Sequence, residues 1–341
     1  MENGPFRVHP LRFQNPDPPT WFDALKKFWA DEGFDPSSQN LLLAVSGGCD
    51  SMAMLELFHR HVVPIFHCRL FAIHINHGLR PDADDDQYFV EQLCFEKNIP
   101  LEVKILDPST RPVGQSMEMW GREHRYVAFE RAQKKFGTQL TLTAHHRDDV
   151  VETFCLRMWR GTGFAGMAGI SFRRTDEVVR PLLPVSRKDL SEWLITLDQT
   201  WKEDSSNTDV TVPRNWVRHH LLPQWRLQEP DVEDRIFHIT REVAKLRPLW
   251  EKSLDAFYPR EEVHIRGGIP MEWLEDENTD AACLRLLLPL LGVARPNPEL
   301  ISEIFRQTRN SRSIQVRVDE NMILKGKQGV LIAKRIISAS G

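Results

Sequence analysis

Apolar and polar positions follow two periods in the first half of the chain. Residues 41–45, 70–75, 101–105 and 140–144 form short apolar runs with the length and texture of strands buried on both faces. Residues 52–61, 85–97, 116–136 and 150–160 instead space their apolar side chains as helices do. Strand and helix in alternation predict βαβ units, hence an α/β fold: a parallel, Rossmann-like sheet with helices on both faces. Such sheets bind ligands beyond the carboxyl ends of their strands, where the strand order reverses. The polar clusters lie at those ends. Residues 46–51 follow the first strand, 77–80 the second and 145–149 the fourth.

Beyond Gly169 the texture changes. Arg180-Pro181-Leu182-Leu183-Pro184 reads as extended, because proline biases its predecessor away from helix. Ser186 is placed to cap a helix over 187–197, residues 203–213 read as a polar loop, and 214–227 reads as a helix that Pro223 ends or kinks. Further helices are expected over 236–257, 271–274, 279–291 and 298–308. Strand alternation over 313–318, 322–325 and 330–333, with Gly326 and Gly329 as turn signals, closes the chain. The reading is an extension over 1–38, an α/β domain over 39–235, and a smaller, mostly helical domain over 236–341 that ends in short strands.

Composition narrows the functional classes. The 341 residues are 41% hydrophobic and 27% charged, values of an ordinary soluble protein of about two domains. No apolar stretch approaches the ~20 residues that span a bilayer. The first 35 residues hold neither the apolar block of a secretory signal nor the acid-poor bias of a transit peptide, so no membrane contact and a cytoplasmic location are expected. The five cysteines are widely spaced and make no Cys-x-x-Cys pair, which disfavours a disulfide framework or a four-cysteine metal site. The net charge of −4 excludes a chain basic throughout but not a local basic stripe. Residues 157–226 and 296–335 each carry an excess of Lys and Arg over Asp and Glu.

The chemistry concentrates in a few segments. Ser46-Gly47-Gly48-Cys49-Asp50-Ser51 joins an apolar strand to a helix start. Two glycines let a backbone approach a polyphosphate closely, and the helix start offers unpaired N–H groups to the anion. Ser46 and Ser51 add hydroxyls, and Asp50 adds a carboxylate able to hold Mg2+. No Gly-Lys-Ser/Thr follows, so this is not a Walker loop. At the end of the second strand, Arg80 is placed to reach a phosphate, and backbone groups near His74 to read an adenine edge. Asp149 and Glu152, three apart, share one face of a helix start, suited to a magnesium ion or an ammonium group. Arg122 and Arg125, with Tyr126, and later Arg214 and Arg218 form cationic pairs suited to phosphate, from a nucleotide or from RNA. Residues 160–169 hold four glycines: one fits a helix cap, and the others suit a mobile loop or one pressed close to a backbone or a base.

Taken in order, these segments resemble the ATP pyrophosphatases that carry an SGGxDS loop, and among them the tRNA(Ile)-lysidine synthases. The resemblance covers about 39–225 and, more weakly, 282–334; residues 1–34 have no assigned counterpart. Arg147 and Val150 depart from the fourth-strand motif, and the resemblance does not extend to the further C-terminal domain of the longer members. The resemblance implies ATP and Mg2+ as cofactors, free L-lysine and an isoleucine tRNA with a CAU anticodon as partners, and a homodimer as an open question. The product it implies is lysidine at the wobble cytidine, formed through an adenylated base. It further implies that Ser46, Gly47, Gly48, Cys49, Asp50, Ser51, His74 and Arg80 bind ATP, with Asp50 on the metal. Asp50, Asp149, Glu152, Arg122 and Arg125 would act in catalysis, and Arg160, Arg214 and Arg218 on the tRNA. A tRNA cytidine thiolase and a non-catalytic tRNA-binding relic are the alternatives.

Overall fold

The computed structural model describes residues 17–78, 83–203, 210–275, 281–293, 296–310 and 314–335. The chain runs α1 (Phe22–Asp31), β1 (Asn40–Ala44), α2 (Cys49–Leu57), α3 (Val63–Phe66), β2 (Arg69–Asn76), α4 (Ala83–Glu96), β3 (Leu101–Ile105), α5 (Met117–Phe136) and β4 (Leu140–Leu142). It continues through α6 (Arg147–Trp159), α7 (Phe164–Met167), β5 (Val178–Val179), α8 (Arg187–Thr196), α9 (Pro213–Trp216), α10 (Leu222–Gln228) and α11 (Val232–Phe257). Last come α12 (Arg260–Arg266), β6 (Ile269–Pro270), α13 (Met271–Glu275), α14 (Ala281–Leu287), α15 (Pro298–Asn310), β7 (Gln315–Arg317), β8 (Met322–Lys327) and β9 (Val330–Arg335). The chain divides into two compact units, one of residues 1–147 and 172–206, the other of 148–171 and 207–341.

The first unit holds the expected parallel sheet, in the order β3-β2-β1-β4-β5. Successive strand residues point to opposite faces. Leu42 and Ile73 therefore meet Ala128, Phe129 and Ala132 of α5 on one side, while Leu41 and Leu43 are buried on the other, where α2 packs against β1 and α8 against α2. The order reverses at β1, which lies between β2 and β4, so the carboxyl ends of β1 and β4 frame the switch point.

Three local features depart from the sequence reading. Residues 180–184 are not extended: the strand character stops at Val179 and Pro181–Pro184 turns back on itself, with Val185 N–H bonded to Leu182 O at 2.9 Å. The expected single helices over 52–61 and 214–227 each contain a five-residue π-helical stretch, Phe58–Val62 and Val217–Leu221. Each stretch is followed after one residue by a proline, Pro64 or Pro223. Proline lacks an N–H and its ring crowds the carbonyl four residues back, and the wider turn relieves that clash. Finally, the segment set apart as an extension supplies α1. Its Phe22, Leu25 and Trp29 are buried, Trp29 packs on Phe34 and Phe58, and its indole N–H donates to Pro181 O at 2.8 Å.

The second unit is helical, with a four-stranded antiparallel sheet in the order β6-β9-β8-β7 near the chain end, as expected. Ile269, Leu284, Leu287, Ile301, Ile304, Leu324 and Leu331 form the core of that end. A separate cluster joins α6 to the helices that follow, through Val151, Cys155, Val217, Leu222 and Ile236. Among the described residues, no helix is long and apolar enough to cross a membrane.

Candidate active site

The 46–51 loop leaves the carboxyl end of β1 and starts α2, which has no side-chain cap on its N-terminus. Gly47 takes φ +88°, a conformation that costs an L side chain about 1–2 kcal/mol. A β-carbon there would also stand 3.4 Å from Val90 Cγ2. The two serines play different parts. Ser51 is buried, accepts the Ser46 N–H at 3.1 Å and donates to Gly48 O at 3.0 Å, which fixes the shape of the loop. Ser46 is exposed beside it. Cys49 points into the core, where burial and then the neighbouring Asp50 push its thiol up to about 12, so only its backbone N–H is available to an anion. His74 is buried, and its Nδ1–H donates to Val45 O at 2.8 Å. Burial holds the ring below the usual histidine range, so it braces the strand entering the loop as a neutral imidazole. Arg80 lies outside the described residues.

Asp50 sits at the rim of this helix start, its side chain 32% exposed. His146, from the loop after β4, places Nε2 3.5 Å from one carboxylate oxygen, and Arg187, on the first turn of α8, places Nε 3.8 Å from the other. Sequence reasoning missed Arg187: nothing in its spacing marks it, because the turn over 181–184 is what delivers α8. It missed Lys202 for a similar reason. Residue 202 pairs alongside Gly48, and its N–H donates to Gly47 O at 2.9 Å, which adds a strand-like edge to the loop. Among the described residues, no group of three or more His, Cys, Asp or Glu is gathered for a metal. Asp50 offers a single carboxylate at this helix start, so a metal held there would have to take its other oxygens from phosphate or water.

A second cationic group of this unit surrounds Tyr126. The Arg122 and Arg174 guanidinium carbons lie 5.5 and 4.3 Å from the ring centroid. Arg180 is buried nearby; burial, and after it the charges of Arg174 and Arg122, lower its pKa to about 10. Arg125 is exposed on the same helix.

In the second unit, Asp149 and Glu152 occupy the first turns of α6, and α9 and the π stretch bring Arg214 and Arg218 onto them. Glu152 is 1% exposed; it accepts Arg214 Nε at 2.6 Å, Arg218 Nε at 2.6 Å and Arg218 Nη2 at 3.1 Å. Asp149 accepts Arg214 Nη2 at 2.6 Å. Two carboxylates and two guanidinium groups thus form one cluster of ion pairs. The sequence signals for both pairs were present, but their meeting was not legible, since 62 residues part Arg214 from Glu152.

The glycine segment is held rather than loose. Arg157 Nη1 donates to Gly166 O and Gly169 O, both at 2.8 Å, and Arg285 donates to Gly161 O at 3.0 Å. A β-carbon on Gly161 would stand 2.8 Å from Pro298. Of the two alternatives for the extra glycines, close approach to neighbouring groups is what the geometry provides. Arg160 is exposed at the end of α6.

The sequence matches the PP-loop domain family over residues 21–225. A tRNA(Ile)-lysidine synthase of Thermotoga sp. (strain RQ2) is 35% identical over 224 residues, which is 65% of this chain and 54% of the relative. One from Actinobacillus pleuropneumoniae serotype 3 is 30% identical over 298 residues, 85% of this chain and 67% of the relative. The chain spans about half the length of several of the curated relatives it matches. Among solved structures, a U34-tRNA thiolase of Methanococcus maripaludis superposes with a TM-score of 0.55 over 66% of this chain and 80% of its own, at 15% identity, which speaks to the fold alone. The chain belongs to the PP-loop family of tRNA(Ile)-lysidine synthases.

Proposed function

We propose that the chain joins free lysine to C2 of the wobble cytidine in the CAU anticodon of an isoleucine tRNA, consuming ATP. The observation that carries this reading is the uncapped start of α2 at the sheet's switch point, with Asp50 on its rim beside Arg187 and His146. The triphosphate lies against the N–H groups of Gly48, Cys49 and Asp50, with Ser46 adding a hydroxyl. Asp50 would hold Mg2+, which would supply charge to offset that of the leaving pyrophosphate. Cytidine O2 attacks the α-phosphorus; the O–P bond forms as the bond to the β-phosphate oxygen breaks. The lysine ε-amine then attacks C2, and the C2–O bond breaks to release AMP.

Asp149 is the carboxylate suited to orient the lysine ammonium and accept its proton. Glu152 is assigned a different part. Both its oxygens are engaged by arginine, so it acts by fixing Arg214 and Arg218, whose positive charge then faces phosphate. Arg122 and Arg125 serve the phosphates of ATP, and Arg160 those of the tRNA. A thiolase reading is disfavoured by the thiols: all five cysteines are buried, and burial raises those of Cys49, Cys68, Cys94 and Cys155, the reverse of what sulfur transfer or cluster ligation requires.

The test is incubation with ATP, labelled lysine and an isoleucine tRNA transcript, followed by digestion to nucleosides. Label in a modified cytidine supports the reading. Label-free RNA, or a product that depends on sulfide, contradicts it.

A further inference from the structure

Two tryptophans of the second unit stand in solvent. Trp159 at the end of α6 is 64% exposed and Trp216 at the end of α9 is 38% exposed. Their ring centroids are 5.2 Å apart at 60°, and His220 lies 6.0 Å from Trp216 at a shallow 33°. Large aromatic rings are costly to leave in water, and a contiguous exposed pair marks a contact surface.

Its position says what it contacts. Trp159 is seven residues beyond Glu152 on one helix, so it lies on nearly the same face, about 10 Å further along the axis. Trp216 sits between Arg214 and Arg218, the two arginines bound to that carboxylate. Exposed Arg160 directly follows Trp159 in the chain, and exposed His219 and His220 lie three and four residues beyond Trp216, groups able to donate to an anion. Rings flanked by cationic and imidazole groups match a strand of unpaired nucleotides, whose bases stack while their phosphates meet positive charge.

We propose that Trp159 and Trp216 form a stacking platform for an unpaired base of the RNA, a nucleotide neighbouring the one presented to the Asp149–Glu152–Arg214–Arg218 cluster. The proposal rests on the reading of the chain as an RNA-modifying enzyme and adds a base contact to it. The platform gives affinity and register without reading base identity, because every base has a π face.

The test uses the full chain and a fluorescent hairpin RNA with an unpaired CAU loop, binding being followed by anisotropy. Trp159→Ala and Trp216→Ala should each weaken binding by about 5- to 150-fold, the range for loss of one stacked base. Trp159→Phe should restore most of it. Phe95→Ala, an exposed aromatic of the first unit, should change nothing. Loop nucleotides are then made abasic one at a time. One position should cost the wild-type chain the same factor and cost Trp159→Ala nothing more. Unaltered affinity in Trp159→Ala, or an abasic penalty identical in wild type and variant at every position, overturns the platform. So does a loss of self-association in the variant without loss of RNA binding, which would make the rings a contact between copies. Lysine-dependent AMP release by the wild-type chain reads the proposed reaction separately. If that release is absent while the tryptophan effects hold, the reaction fails and the base contact stands.

Discussion

Glu152 is the residue whose removal should hurt stability most among the candidate site residues. Its carboxylate is nearly sealed from water and accepts three hydrogen bonds from two guanidinium groups. Glu152→Ala leaves Arg218, with a side chain 21% exposed, facing a void, whereas Arg214 keeps Asp149. Breaking a buried ion pair by deleting one partner costs about 3–5 kcal/mol, because the other charge is stranded. Water reaches part of both arginines, so about 3 kcal/mol is the working figure. Asp149→Ala removes a carboxylate that faces the more exposed Arg214, at 39%, and should cost about 1 kcal/mol. At about 2–4 °C per kcal/mol for a domain of this size, Glu152→Ala should melt on the order of 10 °C lower, and Asp149→Ala a few degrees lower. Circular dichroism melts of the variants measure this. Replacing the pair together, Glu152→Leu with Arg218→Met, should recover much of the loss, since no charge remains stranded. A Glu152→Ala melt that overlays the wild type, or a double variant no better than the single, refutes the reasoning.

Two further outcomes follow. Gly47→Ala should lower ATP affinity at least tenfold, by calorimetric titration, while the fold persists, because the positive φ of Gly47 is what shapes the loop; unaltered affinity contradicts that. His59, His61 and His74 are held below the usual histidine value by burial, with Arg60 adding to the effect at His61. The unfolded chain therefore takes up protons first as pH falls through about 6.5, and stability drops below that pH by up to about 1.4 kcal/mol per unit per histidine, with no contribution above it. His61→Phe, whose ring would remain between Phe22 and Trp193, should flatten the fall in melting temperature between pH 6.5 and 5; an unaltered slope rejects this.

The sheet was legible because its central strands β1 and β4 are buried and read as apolar runs between helical patterns, whereas the short edge strand β5 was not foreseen. The 46–51 loop was legible because its own chemistry is local: its glycines, both serines and Asp50 lie within six positions, whereas the edge that residue 202 adds to it was not. What escaped depends on distance or on a competing force. The indole N–H of buried Trp29 is satisfied by the carbonyl of Pro181, far along the chain, a partner that local sequence does not reveal. The turn that begins at Pro181 replaced the expected extended stretch. The π stretches reflect prolines acting backwards on the preceding turn, a strain that apolar periodicity does not encode. The acid and arginine pairs were each visible, yet their meeting required the fold. It surrounds Glu152 with two arginines, which the spacing of the acids alone does not indicate.

The central claim is that ATP is cleaved between its α and β phosphates to activate a pyrimidine for attack by lysine. Its most direct test is the wild-type chain with α-labelled ATP and a CAU hairpin RNA, with and without lysine. The account predicts AMP released only when lysine and RNA are both present, no ADP, and loss of release when the wobble cytidine is replaced by uridine. Formation of ADP, or AMP release indifferent to lysine and to the wobble base, would contradict it.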